Sequence, residues 1–75
     1  MNAAGIPPLL VDDLRIEAHD MTVIVVWGNK ESSRFVTLAG AKAAVNAEYY
    51  TKEDSRSRGA KIFEWNGTVW NQMAL

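Results

Sequence analysis

The sequence predicts a small α+β domain: a ββαββ unit with a mostly antiparallel sheet, one helix packed on a face, and a possible extra N-terminal strand. Three stretches carry this reading. Residues 22–27, TVIVVW, are a β-branched run that stops at Gly28, the pattern of a strand. Residues 38–54, LAGAKAAVNAEYYTKED, are alanine-rich with apolar positions at helical spacing. Residues 61–73, KIFEWNGTVWNQM, place two apolar runs around Asn66 and Gly67, a strong short-range hairpin signal.

Taken in order, residues 1–8, MNAAGIPP, read as a flexible start, because paired prolines favour an extended conformation. Residues 9–20, LLVDDLRIEAHD, have two readings. Leu10, Leu14 and Ala18 share a helical face. Leu14, Ile16 and Ala18 alternate with Arg15, Glu17 and His19 as in a strand, and that alternation is the cleaner pattern. Next comes the TVIVVW run. Val23, Val25 and Trp27 point to one side and Ile24 and Val26 to the other, so the strand needs cover on both faces. GNKESS is a polar turn, and RFVTL is the returning strand.

Thr37 is placed to cap the helix, since its side-chain oxygen can accept a free backbone N–H. Leu38, Ala41, Val45 and Tyr49 make the buried stripe of a helix over residues 38–50. Gly40 weakens its first turn by up to about 1 kcal/mol relative to alanine. SRSRG is a basic loop. The closing hairpin, with Asn66 and Gly67 as a two-residue type I′ turn, sets Trp65 opposite Thr68 and Phe63 opposite Trp70. Phe63, Trp65 and Trp70 then share one face, and Ile62, Val69 and Met73 lie on the other. The domain spans residues 9–75, with residues 21–75 as its compact part.

A chain of 75 residues is one domain at most and buries only about 60% of its unfolded surface. It has no cysteine and one histidine, His19, which excludes disulfides, thiolate chemistry and multi-histidine zinc sites. No metal or other cofactor is expected. The start lacks a signal-peptide pattern and no apolar run could span a bilayer, so a cytoplasmic protein without a membrane partner is expected. Net charge is −1 but uneven. Residues 1–20 hold four acidic residues and one basic residue, giving −3, whereas residues 21–75 hold seven basic and five acidic, giving +2. An acidic N-terminal segment thus precedes a mildly basic body.

No catalytic set emerges. His19 and Asp20 read as a solvated turn, Asp12 and Asp13 would face opposite ways on a strand, and Gly28 lacks the glycines and lysine of a phosphate loop. The positive constellation is basic: Lys52, Arg56, Arg58 and Lys61 lie close together, and Arg34 and Lys30 join them if the hairpins are neighbours. Arginine forks on a loop suit carboxylates or phosphates. Trp65 and Trp70 have two readings. Both are core, with residues 9–20 covering the second sheet face, or one sheet face is a contact surface.

The order of strand, polar loop, strand, TLAGAKAAV helix and AKIFEWNGTVWNQM hairpin resembles small phage-encoded accessory proteins, some anti-CRISPR proteins among them. The matching residues are Leu38, Ala41 and Lys42, then Asn66, Gly67 and Trp70. The resemblance covers residues 21–75 and leaves residues 1–20 as an additional segment. A similar strand-to-helix pattern occurs in DNA-binding arms of phage integrases. The resemblance implies an inhibitor that binds a host protein complex stoichiometrically and performs no chemistry.

The expected function is therefore a non-enzymatic protein-binding module, an inhibitor of a host defence complex. Its partner-binding residues are Arg34, Lys52, Arg56, Arg58, Lys61, Trp65 and Trp70. One alternative is a nucleic-acid-binding domain that uses the basic loop over residues 52–61. Another is a homodimeric accessory protein. Self-association is expected because two strands are apolar on both faces in a chain with one clear helix.

Overall fold

The computed structural model describes residues 5–28, 31–52 and 60–74, with backbone alone for residues 48–52. Strands β1 (Leu9–Val11) and β2 (Leu14–Ile16) form a hairpin of their own. Strands β3 (Val23–Val26) and β4 (Ser33–Phe35) precede helix α1 (Leu38–Lys52), and strands β5 (Lys61–Trp65) and β6 (Trp70–Met73) follow it. The second sheet has the order β4-β3-β5-β6 and every pairing in it is antiparallel. The predicted ββαββ unit is thus present, and the N-terminal addition is two strands rather than one.

β3 organises the molecule. It is β-branched throughout, which suits a pleated and packed position, and all four of its residues are buried. Its alternating side chains feed two separate cores. On one face Val23, Val25 and Ile62 pack with Ala41 and Val45 of α1, joined by Trp27 and Ala60. On the other, Ile24, Val26 and Phe63 pack with Leu9, Ile16 and Ala18. The architecture is three-layered: helix, four-stranded sheet, two-stranded hairpin. Residues 9–20 therefore supply the cover that the second face needs. The bare face that suggested self-association is closed within the chain.

The N-terminal hairpin turns on Asp12 and Asp13, with φ of 50° and 66°. Two successive positive φ values are what a two-residue type I′ turn requires, and aspartate tolerates that region better than most residues. The expectation that these carboxylates stand on a strand is corrected: they are the turn. His19 and Asp20 repeat the device, with φ of 51° and 65°. There the Met21 N–H donates to the Ala18 carbonyl at 2.9 Å, closing a tight reversal into β3.

Helix α1 starts as its sequence predicts. The Gly40 N–H donates to Thr37 Oγ1 at 3.1 Å, and the Ala41 N–H donates to the Thr37 carbonyl at 3.2 Å. A Cβ at Gly40 would stand 3.3 Å from Thr37 Oγ1 and 3.7 Å from the Phe35 ring. Glycine thus leaves room for the cap where the helix meets β4. The returning strand stops at Phe35, because Val36 and Thr37 turn the chain into α1. The Val36 carbonyl accepts from Thr22 Oγ1 at 3.0 Å. The side chain of Tyr49 lies outside the described residues.

Two stability outcomes follow. Replacing Ile24, which is fully buried in the second core, by alanine should cost about 2–5 kcal/mol. A domain of this size holds about 0.05–0.15 kcal/mol per residue in all, so chemical denaturation should show a greatly lowered midpoint. Removing residues 1–20 uncovers the same core, and the fragment should bind a hydrophobic dye and lose cooperative unfolding. A fragment from Met21 as stable as the full chain would contradict the three-layer account. Thr37→Ala should cost about 1 kcal/mol through loss of the cap, read in the same unfolding assay.

Candidate functional site

The hairpin of β5 and β6 builds the site, and its register differs from the predicted one. A two-residue turn needs positive φ at both Asn66 and Gly67, yet only Gly67 has it, at 100°. The Asn66 side chain instead accepts the N–H groups of Thr68 and Val69 at 2.8 and 2.9 Å, and the Asn66 N–H donates to the Val69 carbonyl at 3.1 Å. Asparagine side chains compete for nearby backbone donors in this way, and here the competition lengthens the loop to four residues. Trp65 therefore lies opposite Trp70, not Thr68, and Phe63 lies opposite Gln72, not Trp70. The partner shifts by two residues, so each side chain within the paired strands keeps its face. Phe63, Trp65 and Trp70 share a face as expected, but the tryptophans become the direct cross-strand pair.

Their ring centroids are 5.6 Å apart with planes at 55°, a tilted arrangement that aromatic quadrupoles favour. Both are half-buried. Trp70 Nε1 donates to the Pro7 carbonyl at 3.0 Å, which ties the chain entering β1 to the edge of the main sheet. Ile6 packs against the second core, so residues assigned to a flexible start hold defined contacts here. Between residues 7–10 and the aromatic hairpin runs a groove of about 340 Å³, floored by Phe63, Trp65 and Trp70 and flanked by Val69. Leu10 is 72% exposed and Val69 50% exposed at its margins. Among the described residues, no ionisable side chain lines it.

Leu10 and Val69 did not enter the sequence-based site. A signal for Leu10 was present: in a strand, consecutive leucines must face opposite ways, so one of Leu9 and Leu10 had to leave the core. Val69 joins through the lengthened loop, which no local pattern announced.

The basic residues do different work. Lys61 Nζ pairs with Asp12 Oδ2 at 3.1 Å, with the two side chains 37% and 64% exposed. Arg34 Nε donates to the Glu17 carbonyl. Each basic residue reaches from the main sheet to the N-terminal hairpin, one at its turn and one beyond β2. Glu17 also pairs with Arg15 at 2.9 Å. Such exposed pairs contribute about 0–1 kcal/mol each, so they align the layers more than they hold them. The Lys52 side chain, Arg56, Arg58 and Lys30 lie outside the described residues.

A second cleft, of about 530 Å³, separates β2 from β4 and is lined by charges of both signs, among them Arg15, Glu17, Glu31 and Arg34. His19 borders it on an exposed turn. The apolar groove is the better candidate, since binding sites are predominantly apolar and aromatic. Among the described residues no helix is long and apolar enough to cross a membrane. No protein-family model, curated protein or solved structure matches the chain.

Proposed function

We propose that this chain is a protein-binding module that performs no chemistry, and that it holds an apolar segment of its partner in the Trp65–Trp70 groove. The observation that carries this is the exposure of Leu10 and Val69 beside two half-buried tryptophans, in a groove whose described lining carries no charge. Isolated exposed leucines are ordinary, but contiguous apolar surface around an aromatic pair marks contact sites. Tryptophan in a partly desolvated pocket is the residue type that most often dominates interface energy.

The lining also discriminates between partner classes. Nucleic-acid affinity depends on lysine and arginine neutralising phosphates, and among the described residues neither type lines this groove. Lys61 and Arg34 are engaged with the N-terminal hairpin. A protein segment rich in aliphatic or aromatic side chains fits the groove better. The resemblance of residues 21–75 to phage-encoded inhibitors extends the proposal to a host defence complex as partner. That extension rests on the sequence pattern alone.

The test compares the full chain with the double variant Leu10→Ser, Val69→Ser. Both positions are exposed, so each change should alter stability by no more than about 0.5 kcal/mol. Proteins retained on the immobilised chain from its cell of origin are identified, and a purified candidate is titrated against both chains. Binding should weaken at least about tenfold in the variant, or about 1.4 kcal/mol. A partner that binds both chains equally removes the groove from the account. Tight, steeply salt-dependent binding of mixed-sequence single strands would replace the protein reading with a nucleic-acid one.

A further inference from the structure

The unused feature of the fold is the outer edge of β6. Among the described residues, the strand order leaves β6 at one margin of the main sheet and β4 at the other. The register shows which backbone groups face outward. The Trp65 N–H donates to the Thr22 carbonyl at 2.8 Å, toward β3, so Trp65 and Trp70 form a non-hydrogen-bonded pair on the other side. Antiparallel ladders alternate hydrogen-bonded and non-hydrogen-bonded pairs. Asn71 and Met73 therefore bond inward to Glu64 and Ile62, and Trp70 and Gln72 aim their N–H and C=O groups away from β5.

Sheet edges are commonly guarded by lysine, proline or another charge. The β6 sequence, WNQM, has none of these. The β4 edge is shorter, carries Arg34 and runs directly into the turn before α1. We infer that β6 is a homodimer contact, pairing antiparallel with β6 of a second copy across a two-fold axis perpendicular to the sheet.

Such an axis keeps the two faces of the sheet in common, so it pairs only residues of like face. Centred on Asn71, it sets Trp70 opposite Gln72 of the second copy and Gln72 opposite its Trp70. The outward N–H and C=O groups of both residues then meet in four hydrogen bonds, and all the outward groups of Trp70 and Gln72 are satisfied. At the axis the two Asn71 residues form a non-hydrogen-bonded pair, where side chains approach most closely. Amides can bond to each other there, whereas like charges would repel.

Charge favours a second copy as the occupant. A self-paired strand places identical side chains near one another, and β6 brings no charge to the axis. The net charge of −1 per chain adds little repulsion at long range. The contact differs from the one expected from bare sheet faces, because it uses an edge. It leaves the apolar grooves of both copies on the same face of one eight-stranded sheet, so the dimer would present two binding grooves side by side.

The experiment is sedimentation velocity of the full chain from micromolar to millimolar concentration, with three variants. Gln72→Pro removes an outward N–H, a position where an edge strand tolerates proline. Asn71→Lys and Asn71→Glu each place like charges across the axis. The parent chain should dimerise, and Gln72→Pro should raise the dissociation constant at least tenfold without changing the circular dichroism spectrum. Asn71→Lys and Asn71→Glu should be monomeric separately and should associate when mixed. The mixing result decides the question even if Gln72→Pro fails to fold. A parent chain that stays monomeric throughout the range overturns the inference, as does a dimer that survives both charge variants unchanged. Neither result touches the groove proposal, because Leu10 and Val69 are tested by partner binding alone.

Discussion

The double-sided burial of β3 is the constraint on which the structure rests. Val23, Ile24 and Val25 have no exposed surface, and Val26 has almost none. A strand apolar on both faces cannot rest on one helix, because the second face would stay in water at about 25 cal/mol per Å² of apolar area. The N-terminal hairpin exists to meet that requirement. Leu9, Ile16 and Ala18 deliver its contribution, and Leu10, which pairs with Arg15 on the outer side, remains exposed.

Hydrophobic cover alone does not specify how a two-stranded hairpin lies on a sheet, since such packing is non-directional. Direction comes from three polar contacts. Trp70 Nε1 reaches the Pro7 carbonyl, Lys61 reaches Asp12, and Arg34 reaches the Glu17 carbonyl. They lie before the hairpin, at its turn and after its second strand. The uneven charge of the chain thus finds a use inside the molecule: acidic and carbonyl groups of the N-terminal segment meet basic residues of the body.

The same arrangement shapes the surface left for other molecules. Pinning residues 7–10 over the aromatic hairpin half-buries Trp65 and Trp70 rather than sealing them. The tryptophans serve two purposes at once, bracing the hairpin against the sheet and flooring a groove whose described lining is uncharged. A small domain with few residues to spare gains from such double use, since its core is already divided between two faces.

Much of the fold was legible from local pattern. The period of two in VIVV, the alanine-rich stripe from Leu38 to Val45 and the threonine cap each reflect interactions within a few residues, and the structure contains all of them. The need for cover on both faces of β3 was also visible, because side-chain alternation is a property of the strand itself. Tertiary structure decided what local pattern left open. It chose strand over helix for residues 14–16, since only an extended pair lays Leu9 and Ile16 together on Ile24. It drew Lys61 and Arg34 onto the hairpin, through partners 49 and 17 residues away in the chain. It also made Trp65 and Trp70 face each other. Asn66 can serve a two-residue turn or bind its neighbours' N–H groups, and the register of the hairpin depends on which it does. With the side-chain option taken, the groove joins residues near the two ends of the described chain, a proximity that no spacing along the sequence encodes.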